Sequence, residues 1–204
     1  MNEVEATAKK GARGAGFDWG VAEEAGRAAR WLCSNGLGGC GHLARYLERA
    51  SDTPCFAPNQ LDGPWRSNRG HLCPLRTGAA LSDLALRLRQ QPVEMQSIAS
   101  PARLLPFAAW AALALDRNVT LSMGAIEVVT DGVRVSLTAL EIPADSDVRV
   151  KLGGDLAQPL AHYSRAAPHP ENWKRLNALA HKTYAPATEE SRLLGAGAGL
   201  SDND

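Results

Sequence analysis

The residues best suited to chemistry gather between positions 33 and 73: Cys33, Cys40, His42, Cys55, His71 and Cys73. Thiolate and imidazole are the ligands zinc prefers, and six of them are more than a tetrahedral site needs. Their spacing is unusual for such a site. Structural zinc sites bring ligands in close pairs such as C-x-x-C, whereas the close pairs here are Cys40-Gly41-His42 and His71-Leu72-Cys73. Cys40 has a second reading. It stands just before a helix start with His42 two residues on, where the helix dipole and an imidazolium would lower a thiol pKa and produce a nucleophile. Against this stands the commoner fate of cysteine, a small buried core residue, and no third group to orient the pair is legible in the spacing.

The same stretch holds Gly36-Leu37-Gly38-Gly39-Cys40-Gly41, a literal G-x-G-x-x-G. The dinucleotide fingerprint requires a strand before the glycines, so that the pyrophosphate meets a helix N-terminus at the edge of a parallel sheet. Ala28-Ala29-Arg30-Trp31-Leu32 has helical character instead, and the glycines are read as a turn between two helices. No cofactor is favoured. A second glycine run, Gly195, Gly197 and Gly199, follows a helix predicted over Thr188 to Leu194, which is the wrong order for a phosphate cradle. Gly195 reads as a helix stop.

Polar groups at the two ends of the chain form the other candidate site: Arg13, Trp19, Glu23 and Glu24 near the start, and Arg192 with Gly195, Gly197 and Gly199 near the end. A closing segment that folds back would place Arg192 over the first two helices. A solvated tail is the plain alternative. His162, Tyr163, His169, His181 and Tyr184 add hydrogen-bonding groups near that segment, with no spacing that pairs them.

These groups must be held by helices first and strands second. Asn2 with Glu5 has capping-box spacing, and an apolar line follows through Val4, Ala8, Ala12 and Ala15. Glu5, Lys9 and Arg13 recur every four residues, the pattern of an ion-pair ladder along one face. Asp18 caps a second helix to about Ser34, which Asn35-Gly36 ends. A third runs from about His42 to Ala50. Residues 51 to 76 lack a period and read as irregular, and Ala79 to Gln90 reads as helix. Beyond 92 come strands at Val93 to Ile98, Val119 to Leu121 and Val148 to Leu152, a helix from Arg103 to Leu115, and β-branched runs flanking Asp131-Gly132, a hairpin turn. A last helix covers Glu171 to His181. This is an α+β chain: N-terminal helices, a small mostly antiparallel sheet in the second half, then a C-terminal helix and tail. It reads as one domain over 1–204, helical to about 92, sheet-containing over about 93–182, with a closing segment 183–204.

Lys plus Arg and Asp plus Glu are both 22, so no net field draws in polyanions, and neither nucleic acid nor membrane is expected as a partner. Glu3, Glu5, Lys9 and Lys10 break any apolar leader at the start, and the longest apolar run, about Leu104 to Leu115, is too short to span a bilayer. A cytoplasmic protein with reduced thiols is expected.

The opening Asn2-Glu3-Val4-Glu5-Ala6-Thr7-Ala8-Lys9-Lys10-Gly11-Ala12-Arg13-Gly14-Ala15-Gly16, then Trp19-Gly20 and Ala22-Glu23-Glu24-Ala25-Gly26, resembles a bacterial family of unknown function, the DUF3726 proteins. The closing Thr183 to Arg192 and Gly195 to Gly199 also look like that family. The resemblance implies no particular activity or cofactor, and it draws attention to the two ends. Three functional classes fit: a protein that binds or processes a small polar metabolite; a noncatalytic accessory subunit docking on an enzyme, or a homo-oligomer, through its alanine-rich helices; and a zinc- or thiol-dependent protein using the 33–73 cluster.

Overall fold

The computed structural model describes residues 1–184. Six α-helices and a five-stranded sheet are arranged in the order α1 (Asn2–Gly14), α2 (Trp19–Ser34), α3 (Gly39–Asp52), α4 (Pro74–Asp83), β1 (Val93–Ala99), α5 (Leu105–Leu115), β2 (Val119–Met123), β3 (Ile126–Thr130), β4 (Val135–Leu137), β5 (Asp145–Leu152) and α6 (Pro170–His181). The α+β reading holds. Short 3-10 helices at Ala85–Arg89 and Pro101–Leu104 replace the ends of two predicted α-helices. Pro74 starts α4 earlier than expected, because proline suits a first helical position, where the missing N–H would have no partner anyway.

The sheet runs β1-β5-β2-β3-β4 and every pair is antiparallel. Asp131-Gly132 makes the predicted hairpin between β3 and β4, with Asp131 accepting from the amides of Val133 and Arg134. The period-free region between α3 and α4 has a definite place. Trp65 and Leu72 lie alongside β1: the Trp65 N–H donates to Glu94 and its carbonyl accepts from Gln96, while Leu72 pairs in the same way with Ser97 and Ala99. On the opposite margin the Leu160 N–H donates to Val135 of β4 at 2.8 Å.

Helix α5 is apolar on all sides and lies between two cores. Leu105, Ala108, Ala111, Ala112 and Leu115 pack with the inner sheet residues Leu121, Val128, Val148 and Val150. Phe107 faces the opposite way, into the cluster built by α1, α2, α3 and α6 around Ala8, Ala29, Leu47 and Leu176.

The N-terminal helices differ in two respects from expectation. No side chain caps α1, whose preceding residue is Met1, so the Asn2 capping box is not made, whereas Asp18 does cap α2, accepting from the Val21 N–H at 2.9 Å. The ladder of Glu5, Lys9 and Arg13 does not close along α1. Glu5 pairs with Arg30 at 2.9 Å and Lys9 with Glu23, both across to α2, because small residues bring the two helices within side-chain reach. Most small residues of α1 and α2 are thereby consumed inside the chain: Ala8, Gly11 and Ala12 are buried, as are Ala22, Ala25 and Gly26.

Close packing of α4 on α5 rests on Gly78, where a Cβ would lie 2.2 Å from the Phe107 ring. Gly78→Ala is expected to lower unfolding stability by about 1–3 kcal/mol through overpacking. Gly20→Ala, on an open part of α2, should leave it unchanged or raise it by up to about 1 kcal/mol. Urea unfolding followed by circular dichroism compares the two.

Candidate functional site

Helix α2 ends where Asn35 and Ser34 turn their side chains back to the Trp31 carbonyl, at 3.0 and 2.9 Å. Gly36 (φ 72°) and Gly38 (φ 60°) then take left-handed conformations that reverse the chain. The Gly38 carbonyl accepts from Gly41 and His42 and begins α3. Gly39 lies so close to α2 that a Cβ would sit 2.1 Å from the Ala29 carbonyl oxygen. The G-x-G-x-x-G stretch is therefore a helix–helix turn with no strand before it, and its consequence is to bring the last turn of α2 against the first turn of α3. Cys33 Sγ and Cys40 Sγ stand 3.8 Å apart across that junction.

The opposite wall comes from the segment between β5 and α6. The Tyr163 N–H donates to the Ser34 carbonyl at 2.7 Å, and its ring lies over Gly36. His169 caps α6, its Nδ1 accepting from the Glu171 N–H. Asn172 in the first turn of α6 approaches Gly41 so closely that a Cβ there would meet its Nδ2 at 2.6 Å. Together these walls enclose a cleft of about 360 Å³, lined by Cys33, Cys40, Gly36, Gly38, Tyr163, Arg165, His169 and Asn172. The N-termini of α3 and α6 and the Arg165 guanidinium all favour negative charge in it.

The two thiols are inequivalent. Cys33 is partly exposed and Cys40 is 2% exposed. The Cys33 thiol is lowered to about 6, chiefly by the hydrogen bond from Cys40 and then, against the cost of its burial, by the backbone hydrogen bonds of Cys40 and Gly39 at the start of α3. Cys40 is pushed up by its hydrogen bond with Cys33 and by burial. In the sequence Cys40 reads either as a thiol activated by a helix start and an imidazolium or as a small core residue, and the structure buries it. His42 is instead lowered to about 4 by burial and by the charges of Arg103 and Arg45, so it is neutral at physiological pH and supplies no positive charge.

The remaining candidates lie elsewhere. Arg13, Trp19 and Glu23 share one exposed face of α1 and α2: Arg13 donates to the Phe17 carbonyl at 2.6 Å, its guanidinium and the Lys9 ammonium lie 5.2 and 5.6 Å from the Trp19 ring, and Glu23 pairs with Lys9. Glu24 pairs with Arg27 at 3.1 Å, as predicted. None of the four lines the cleft. Arg192, Gly195, Gly197 and Gly199 lie outside the described residues, as does the helix expected over Thr188 to Leu194. Of the six Cys and His residues only Cys33 and Cys40 meet in the cleft. Tyr46 donates to Cys73 at 3.0 Å inside the core, Cys55 donates to the Thr53 carbonyl, and His71 shares a 2.9 Å hydrogen bond with Ser97 on the β1 bulge. Among the described residues no group of three or more His, Cys, Asp and Glu is arranged to hold a metal ion. Arg165 and Asn172 were absent from the sequence reading, since neither carries a spacing signal and both reach the cleft only through the docking of α6.

Alkylation by iodoacetamide followed by peptide mass spectrometry tests the asymmetry. Cys33 is expected to react first, with a rate that rises through a midpoint near pH 6, since the thiolate is the reacting form and predominates above its lowered pKa. Cys40→Ala removes the main hydrogen bond to that thiolate, so the Cys33 midpoint should move up toward the ordinary thiol value of about 8.5.

No curated protein and no solved structure matches the chain. A family match does exist, and it ends at residue 90, so the resemblance read in the closing segment lies beyond it. Residues 1–90, which carry both cysteines of the pair and the glycine turn between them, match DUF3726, a protein family of unknown function.

Proposed function

We propose that this chain is a thiol–disulfide exchange protein acting on a small, negatively charged disulfide, with Cys33 as the attacking thiol and Cys40 as the resolving one. The observation that carries this reading is the 3.8 Å approach of a partly exposed and a buried cysteine in a cleft formed at two helix N-termini. It joins two classes open from the sequence, a binder of a small polar metabolite and a thiol-dependent protein.

In the exchange, the Cys33 thiolate attacks one sulfur of the substrate disulfide. A bond forms between Cys33 Sγ and that sulfur, the substrate S–S bond breaks, and the departing thiolate takes up a proton. Cys40 then gives up its proton and attacks Cys33 Sγ, displacing the second substrate thiolate and closing the Cys33–Cys40 disulfide. Two electrons pass from the protein dithiol to the substrate, which leaves as two thiols. A dithiol of another molecule restores the starting state by the reverse sequence. Arg165 and the amides at the starts of α3 and α6 hold the substrate's negative groups and ease departure of each thiolate.

A reducing bacterial cytoplasm suits this chemistry, and that all four cysteines are free supports it, as does the bacterial family resemblance. Among the described residues no helix is long and apolar enough to cross a membrane. Balanced charge and a cleft of metabolite size favour a small ligand over a polyanion.

Treatment with oxidised glutathione, an anionic disulfide, should convert the protein to a form lighter by two hydrogens with Cys33 and Cys40 joined. Cys40→Ser should instead accumulate a mixed disulfide at Cys33. Arg165→Ala is expected to slow exchange about fivefold, the effect of losing about 1 kcal/mol, with the anionic disulfide and not with neutral hydroxyethyl disulfide. A wild-type protein that stops at the mixed disulfide, or reacts equally at Cys55, would overturn the assignment.

A further inference from the structure

Among the described residues Arg103 is the charged side chain buried in the core, and it lies outside the cleft. It projects from the 3-10 helix Pro101–Leu104 into the region where that segment meets α3, and it is 2% exposed. Nε, Nη1 and Nη2 all lack an acceptor. The guanidinium stacks 4.5 Å from the centre of the Tyr46 ring, which offers some attraction to its face and leaves the donors along its edges unmatched.

The neighbours do not neutralise it. Tyr46 Oη spends its proton on Cys73 Sγ at 3.0 Å. Burial raises both the Tyr46 and the Cys55 hydroxyl or thiol, which keeps them uncharged. Asp145 Oδ2 accepts from Arg49 at 2.8 Å, and its Oδ1 is itself without a partner. Arg45 and Arg103 together press the His42 pKa down beyond the effect of burial, the signature of a locally positive field. A buried cation with unmet donors costs several kcal/mol unless an acceptor of opposite charge joins it.

We infer that Arg103 is the base of an internal anion site, taking a compact monoanion against the edge of its guanidinium beside Tyr46. One buried positive charge calls for one negative charge, and the enclosure of the side chain restricts the ligand to a halide or a small carboxylate such as formate. The site is separate from the cysteine cleft, whose lining does not include Arg103.

The test uses the full chain exchanged into sodium gluconate, whose anion is too bulky for an enclosed position, and then transferred to chloride or formate at equal ionic strength. A ligand that binds only the folded protein raises Tm, and a rise of at least about 2 °C in one of the two salts is expected. The chloride and formate arms distinguish halide from carboxylate. Arg103→Met should abolish the difference between salts. If that variant does not fold, crystals of the unaltered protein grown in sodium bromide decide: an anomalous peak within hydrogen-bonding reach of Arg103 supports the site. Coincident melting curves in all three salts, or a guanidinium whose donors are met only by water or protein atoms both in the bromide crystal and in one grown in sodium formate, would overturn it.

Discussion

Helix α5 carries only apolar side chains, and the need to bury its two opposite flanks is the condition it imposes on this fold. Leu105, Ala108 and Ala112 require a sheet on one flank, while Phe107 requires a helical layer on the other. The antiparallel sheet and the N-terminal helices are thus two halves of one burial problem. The consequence reaches the chemistry, because α2 and α3 are held in place partly by the residues that cover Phe107.

Within the helical layer, position is set by backbone meeting backbone. Gly39 against Ala29 and Gly26 against the Glu5 carbonyl leave no room for a Cβ, so the helices approach closely and with little freedom to slide. A sulfur pair placed by such contacts has a defined separation and two distinct environments. One member is partly exposed and receives amide hydrogen bonds, and the other is enclosed. The order of attack proposed for the two thiols rests on that difference in surroundings.

The fold class was legible in the sequence because its signals are local. Asp18 caps α2, Asn35-Gly36 ends it, and Asp131-Gly132 turns the hairpin, each through contacts a few residues away. The ladder of Glu5, Lys9 and Arg13 misled for the opposite reason: its partners lie on another helix, and periodicity along α1 carries no information about them. The site was half visible. Cys33, Cys40 and the glycine turn stood out by type and spacing, yet which thiol is the exposed one depends on how α2 packs on α3, a tertiary fact. Arg165 and Asn172 depend on the docking of a helix far away in sequence.

Edge pairing by Trp65, Leu72 and Leu160 has a bearing on how the molecule behaves in company. An open sheet margin is a template on which another chain can add a strand, and from there sheets can grow between molecules. Here the outer side of β1 is already hydrogen-bonded by two stretches of the long connection, and β4 is both short and met by Leu160. What looks in the sequence like an unstructured excursion of proline, glycine and asparagine is thus a guard rail along the β1 margin of the sheet.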